Sequence, residues 1–170
     1  MQRWLWLLAG TGPGVLRSRL ARGGNLRQIY VVPVEGGEER RVTDGTEDSG
    51  WSDWSPDGSS LVFSRPSSGL YVVSVSGGPE VKLTRGLGAE GPKWSRDGSR
   101  VYFIGRGERE GNIWEVEADG SAERPMTDLA GRPGRLGFAP PANDGKYLYF
   151  IWTDDLGDIW VMDVVTDESE

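Results

Sequence analysis

The chain has 170 residues, enough for one domain with a substantial core, and its net charge is −7. Hydrophobic residues make up 36% and charged residues 26% of the sequence, which is typical of a globular protein and not of a disordered chain. The negative charge, without any cluster of lysine or arginine, argues against a nucleic-acid surface. Because histidine and cysteine are absent, this chain supplies no Ser-His-Asp triad, no zinc site with imidazole or thiolate ligands and no disulfide.

The first 26 residues carry no clear repeat signal. The apolar run at residues 4–10 is too short to span a membrane and resembles a signal peptide only faintly. Residues 15–19 carry too much charge for a strand that is buried on both faces. The sequence therefore predicts an irregular segment, or a degenerate inner hairpin, over residues 1–26.

Three independent markers recur along the rest of the chain with one period of about 40 residues. An aromatic residue in a predicted strand recurs at intervals of 41, 43 and 46 residues, and a threonine that ends each unit recurs at intervals of 41 and 43. An aromatic residue that opens each unit recurs at intervals of 40 and 44. The three series are Tyr30, Tyr71, Trp114 and Trp160; Thr43, Thr84 and Thr127; and Trp54, Trp94 and Phe138.

Turn sequences within each unit separate short apolar runs. The W-S-P-D-G segment at residues 54–58 suits a type I turn, because proline presets φ and glycine accepts the left-handed conformation that closes the hairpin. The segment at 94–98 lacks the proline but keeps Asp-Gly. Unbroken apolar runs follow at 61–63, 101–104 and 148–152, and such runs predict a strand that is covered on both faces.

Four short strands in each unit predict the blade of a β-propeller. The expected fold is all-β, with about four four-stranded blades of which the first and the last are incomplete. Closed propellers need about four to eight blades, so we expect a part of a larger propeller or closure by self-association. The expected blades are residues 27–43, 51–84, 91–127 and 135–166, followed by an acidic tail at 167–170.

These markers resemble the TolB-type, WD40-like propeller repeat. That repeat has a W-S-P-D-G turn, a strand reading I-Y-V or I-W-V, a D-G-G-type turn and a closing L-T. The best-matching unit has the corresponding segments at residues 54–58, 70–72, 77–78 and 83–84, and the resemblance covers about residues 27–166. It implies a β-propeller and a TolB-like use in protein or peptide binding. The same repeat also occurs in the propellers of prolyl-oligopeptidase-family serine peptidases.

The sequence favours a non-catalytic module for protein or peptide binding. The alternative is the propeller that gates a prolyl-oligopeptidase-type peptidase, whose hydrolase domain carries a G-x-S-x-G motif and a histidine that this chain lacks. A carboxylate- or metal-dependent enzyme working from the loops is a third interpretation.

We expect no cofactor, no nucleic-acid partner and no membrane span. The resemblance implies a periplasmic location for a TolB-like protein and a cytoplasmic one for a propeller of peptidase origin.

Binding residues are expected in the loops between blades and between the second and third strands of a blade, on one face of the propeller. The acidic group at residues 154–158 could bind calcium, but no known calcium-loop spacing is present and a solvated loop is the simpler interpretation. The mixed-charge loop at 105–112 could meet a carboxylate of a partner or substrate. Among the tryptophans, Trp51 lies outside the period. The candidate partner-binding residues are Glu47, Asp48, Trp51, Arg106, Arg109, Asp154, Asp155 and Asp158.

Overall fold

A computed structural model of the protein describes residues 14–20, 24–86, 88–107, 111–129, 131–137 and 139–154. These residues form fifteen β-strands, and all of their pairings are antiparallel. The strands make a series of small sheets, and in the three larger ones consecutive strands of the sequence lie side by side. The all-β, blade-like architecture predicted from the repeat is confirmed.

The first sheet contains β1 (Gly14–Leu20), β2 (Arg27–Pro33) and β3 (Arg40–Arg41). The β1 strand pairs with β2 along its full length, from Gly14 opposite Pro33 to Leu20 opposite Arg27. A regular strand therefore lies inside the segment for which the sequence predicts irregular structure or a degenerate hairpin.

The second and third sheets are complete four-stranded blades in the order of the sequence. The second blade contains β4 (Gly50–Trp54), β5 (Ser60–Arg65), β6 (Gly69–Ser74) and β7 (Val81–Lys82). The third blade contains β8 (Ala89–Trp94), β9 (Arg100–Gly105), β10 (Ile113–Glu117) and β11 (Glu123–Pro125).

The fourth unit is an inner hairpin with an interrupted ladder. In it β12 (Arg135–Leu136) pairs with β15 (Trp152–Thr153), and β13 (Ala142–Asn143) pairs with β14 (Leu148–Tyr149). Between β12 and β13 lies a Pro-Pro pair at residues 140–141, which has no N–H to donate to a neighbouring strand.

The apolar run at residues 148–152 departs from its prediction. It forms two short strands instead of one, and its side chains at Tyr149 and Ile151 are 42% and 52% exposed. The corresponding apolar runs of the second and third blades are therefore covered on both faces. Among the described residues, the run at 148–152 is not. The aromatic markers Phe138 and Trp160, the acidic tail and residues 1–13 lie outside the described residues.

Apolar layers between successive blades form the core. Leu61 and Phe63 of β5 pack with Ile29 of the first blade, whereas Val62 of the same strand packs with Trp94 and Phe103 of the third blade. The continuous apolar run is thus buried on both sides, as predicted. A third layer joins the third blade to the fourth unit and contains Ile104, Ile113, Leu129, Leu136, Leu148 and Trp152.

Each inner hairpin is closed by an aspartate that accepts several hydrogen bonds. The Asp57 carboxylate accepts from the Ser55 hydroxyl at 2.5 Å and from the Ser59 N–H at 3.0 Å, and Gly58 adopts φ 71°. The same bonds recur one blade later around Asp97, with distances of 2.7 and 3.0 Å. In the fourth unit Asp144 accepts from the N–H groups of residues 146 and 147 at 2.9 and 2.7 Å.

The periodic threonine fastens the end of each outermost strand to the third strand of its blade. The Thr84 hydroxyl accepts a hydrogen bond from the buried Leu70 N–H at 3.0 Å. Thr43 and Thr127 accept in the same way from Ile29 and Ile113, each at 2.9 Å. The hydroxyl pairs an N–H that lies beyond the short backbone ladder of the outer strand. This bond gives a physical reason for the closing threonine of the repeat.

Polar contacts between inner strands join the blades near their centre. Asp53 of β4 accepts from the Trp94 N–H at 3.0 Å and from Lys93 Nζ at 2.8 Å. The Asn143 side chain of the fourth unit donates to the Trp94 carbonyl at 2.9 Å. The inner strand of the third blade is therefore held from both sides. No helix with the length and hydropathy for crossing a membrane occurs in the described part of the chain.

Replacing Thr84 by valine should lower the free energy of unfolding by about 1–3 kcal/mol, because the Leu70 N–H loses its acceptor in a buried position. Replacing Thr84 by serine keeps the hydroxyl oxygen and should cost clearly less. Urea titration of both variants and the wild type measures the difference. Equal stability of the valine and serine variants would contradict the role assigned to the hydroxyl.

The free energy of unfolding should fall as the pH drops through the pKa range of the turn aspartates. Hydrogen bonds from the Ser55 hydroxyl, the Ser59 N–H and the Ser59 hydroxyl hold the pKa of Asp57 at about 2, below its ordinary 3.8. Equivalent bonds from Ser95 and Ser99 hold the pKa of Asp97 at about 2. The Tyr147 N–H, the Tyr149 hydroxyl and the Lys146 N–H hold the pKa of Asp144 at about 2. A pKa that is lower in the folded than in the unfolded state gives a stabilisation that is present above pH 3.8 and is lost toward pH 2.

Urea midpoints of the wild type should therefore decrease between about pH 4 and pH 2. A variant with asparagine at positions 57, 97 and 144 should have a lower urea midpoint than the wild type at neutral pH. Its midpoint should also decrease less as the pH is lowered, because asparagine does not titrate. Asp128→Asn, at an exposed aspartate outside the turns, serves as the control. If the urea midpoint of the triple variant decreases at low pH as steeply as that of the wild type, the turn aspartates are not the cause of the acid destabilisation.

Candidate functional site

The alternating direction of the strands gives the stack two faces. We call the face with the hairpin turns at residues 55–59 and 95–99 the turn face. The opposite, loop face carries residues 66–68, 106–107, 111–112, 126–129 and 131–134 of the connecting segments. On the loop face, between the third blade and the fourth unit, lies a cavity of about 250 Å³, which we call the loop-face cavity. Its described lining is Arg106, Gly111, Leu129, Gly131, Arg132, Gly134, Arg135, Leu136 and Trp152.

The floor of the loop-face cavity is apolar and belongs to the core layer between the two units. Leu129, Leu136 and Trp152 are 3%, 4% and 8% exposed and pack in one cluster. The indole N–H of Trp152 donates to the Pro133 carbonyl at 3.3 Å, so the tryptophan also fixes the loop above it.

Gly134 allows the loop to approach that tryptophan. Its φ is +112°, and a Cβ at this position would lie 2.5 Å from Trp152 Nε1 and 2.7 Å from the Thr153 carbonyl oxygen. Both the backbone conformation and the close contact require a residue without a side chain. The shape of the cavity therefore depends on this glycine.

The rim of the loop-face cavity is cationic. Arg106 Nε forms an ion pair with Glu90 at 3.0 Å, and the Arg106 N–H donates to the Gly88 carbonyl at 2.6 Å. Arg132 and Arg135 are exposed. None of the described residues that line the cavity carries a carboxylate. The arrangement offers guanidinium donors above an apolar floor, which suits an anionic group attached to an apolar body.

Glu47 and Asp48, two of the predicted binding residues, lie in another loop and take part in its packing. Asp48 Oδ1 accepts from the Arg27 N–H at 2.6 Å, and Glu47 accepts from the Ser68 hydroxyl. The Gln28 side chain donates to the carbonyls of residues 45 and 47 at 3.3 and 3.4 Å. These contacts join the loops of the first and second blades, and they use the carboxylates as structural acceptors.

Trp51 occupies a bulge in the inner hairpin of the second blade. The register between β4 and β5 shifts at this position, and φ of Trp51 is 25°. The equivalent bulge in the third blade has Gly91 with φ 58°. A tryptophan therefore adopts a conformation that favours glycine, and such local strain is often found at functional sites. The spacing of 40 residues between Trp51 and Gly91 is the sequence signal for this equivalence.

The remaining predicted residues divide between the cavity and the undescribed part of the chain. Arg106 lines the loop-face cavity. Arg109, Asp155 and Asp158 lie outside the described residues, and the half-buried Asp154 is the last residue described. Across the residues with a described position, no group of three or more Asp, Glu, His or Cys side chains is arranged to hold a metal ion.

Sequence reasoning missed Arg132, Arg135 and Trp152. It identified the blade-joining loop at residues 128–134 as a place for binding but selected no residue within it. The available signal was the G-R-P-G-R segment at residues 131–135, where two arginines alternate with turn residues. Their approach to Trp152 depends on strand pairing in the fourth unit, which local sequence does not reveal.

Comparisons with known proteins agree with this architecture. No protein-family model matches the chain. An uncharacterized protein of Agrobacterium fabrum (strain C58) is 36% identical over 130 residues, which are 74% of this chain and 43% of that protein. The solved structure of a protein described as a TolB from Agrobacterium tumefaciens is 30% identical, with a TM-score of 0.72, and the match covers 84% of this chain and 51% of that one.

More distant structures show the fold alone. TolB from Acinetobacter baumannii is 18% identical with a TM-score of 0.55, and the match covers 83% of this chain and 38% of that one. A prolyl endopeptidase is 22% identical with a TM-score of 0.61, at 84% and 25% coverage. The chain thus spans about half, or less than half, of the length of these relatives. That proportion is consistent with a segment of a larger propeller.

Replacing Gly134 by alanine should lower the free energy of unfolding more than replacing Gly131. Both residues have positive φ, so alanine strains the backbone by about 1–2 kcal/mol in each case. Only at Gly134 does the new methyl group also collide with Trp152 and Thr153, whereas the space around Gly131 is open. Urea titration of the two variants and the wild type measures the loss in the free energy of unfolding at each position. Identical midpoints would mean that the close contact at Gly134 is unimportant.

Proposed function

Because this chain has a TolB-like β-propeller fold, we propose that it is a non-catalytic module that binds protein or peptide on its loop face. The observation that carries the proposal is the loop-face cavity, which joins an apolar floor to exposed polar side chains between two rigid units. Loops held by a rigid scaffold are the usual place for binding in such folds.

Similarity to the protein described as a TolB supports this use in preference to the gating of a peptidase. At 30% identity that likeness extends beyond the fold, whereas the likeness to the prolyl endopeptidase, at 22%, concerns the fold. Several structures with the same fold are enzymes, so the fold itself does not decide the question. The sequence adds that this chain offers no histidine and no G-x-S-x-G motif.

The face that binds can be tested with a photo-crosslinking amino acid in the full-length protein, expressed in the cell that produces it. One variant carries the crosslinker at Asp128, in the loop that borders the cavity, and the other carries it at Lys146 in a hairpin turn of the turn face. Both positions are exposed, so both tolerate the replacement. We expect a discrete covalent protein adduct from position 128 and none of the same mass from position 146. Absence of any adduct from position 128, or identical adducts from both positions, would overturn the proposal.

A further inference from the structure

We propose that the loop-face cavity selects acidic peptide segments, and that Arg132 and Arg135 bind their carboxylates. This inference rests on the proposed function, since it names the class of peptide that the same site would accept. The charge, the rigidity and the size of the cavity each contribute an independent argument.

The charge of the cavity is opposite to that of the chain. The whole sequence has 26 acidic and 19 basic residues, yet the described lining contains three arginines and no acidic residue. Arg106 is neutralised by Glu90 at 3.0 Å and therefore acts as part of the wall. Arg132 and Arg135 form no ion pair with the described residues, and both are exposed. A net positive site on an acidic protein attracts an anionic partner.

The two arginines project from fixed backbone. Arg135 lies in β12 opposite Thr153 of β15. The N–H of Arg132 donates to the Leu129 carbonyl at 3.1 Å, and the next residue, Pro133, accepts from the Trp152 indole. Because the backbone is already ordered, binding a carboxylate costs mainly the freedom of the two side chains. Guanidinium groups also offer two parallel donors to a carboxylate, a geometry that lysine does not provide.

The size and floor of the cavity favour a peptide over a larger organic ligand. Its volume of about 250 Å³ is below the range of about 300–1,000 Å³ of pockets that enclose drug-sized ligands. It is open to the loop face and floored by Leu129, Leu136 and Trp152, so one or two side chains can enter while the rest of a peptide stays outside. We expect an acidic side chain on the arginines next to an apolar side chain on the floor.

Selection from a random peptide pool displayed on phage tests this proposal and the proposed function separately. The full chain serves as bait, and the double variant Arg132→Ala, Arg135→Ala serves for counter-selection. Both arginines are exposed, and equal urea midpoints of variant and wild type will establish that the fold is retained. We expect enriched peptides that are rich in Asp and Glu and that do not bind the double variant.

Fluorescence anisotropy then measures the affinity of the most enriched peptide. Affinity should fall at least about tenfold when its acidic residues are replaced by their amides, and by a similar factor for the double arginine variant, since hydrogen bonds to charged groups are lost. Lysine at positions 132 and 135 should restore part of the loss, and rising salt should weaken binding. The Lys146→Ala variant, altered on the turn face, should bind like the wild type.

Other outcomes overturn the inference in distinguishable ways. Enriched peptides without acidic residues, or with equal affinity for the double variant, would refute the acidic class while leaving peptide binding in place. No enrichment from the pool would refute peptide binding as well. Binding of trigalacturonate, used as a probe for acidic oligosaccharides, together with failure of every peptide would replace a peptide partner by an acidic sugar.

Discussion

The fold depends on one constraint: the second strand of a blade is apolar on both faces and must be covered from both sides. In β5, Leu61 and Phe63 face the first blade while Val62 faces the third. A single four-stranded sheet cannot bury such a strand, because its own strands lie beside it and not above or below it. Each blade is therefore stable only with neighbours, and stacking of the repeats follows from this requirement.

Two kinds of local hydrogen bond convert that stacking into well-defined blades. The turn aspartates, such as Asp57, fix the inner hairpin through neighbouring serines, and the closing threonines, such as Thr84, bind the outer strand to the third strand. Both bonds lie within one blade and recur with the period of the sequence. Asp53 acts differently, because it accepts from Trp94 of the next blade and thereby joins the blades. The hydrogen bonds within a blade determine the shape of each repeat. The apolar layers and a few polar contacts between blades hold successive blades together.

The candidate site arises where this regularity weakens. The Pro-Pro pair at residues 140–141 interrupts the inner hairpin of the fourth unit, and Gly134 brings the preceding loop onto Trp152. The resulting space is bordered by residues from two units, with guanidinium groups at the rim and the core layer as the floor. Trp51, strained at a bulge where the next blade has glycine, is a second departure from the repeat. Function in a repeat protein is best sought at such departures, because the repeated positions are occupied by structural bonds.

Periodicity alone was sufficient to predict the two four-stranded blades, their hairpin turns and the strands β5 and β9, which are buried on both faces. The reason is that each of these features is set by bonds and packing within about 40 residues, and each leaves a recurrent residue such as Trp54, Asp57 or Thr84. The strand β1 and the divided fourth hairpin were not predictable in this way, since their sequences do not carry the repeated markers. The meeting of Arg132 and Arg135 with Trp152 was equally hidden, because it brings together residues some 20 positions apart through strand pairing. A property that each blade repeats can be read along the chain, whereas a cavity between two units exists only once they are packed.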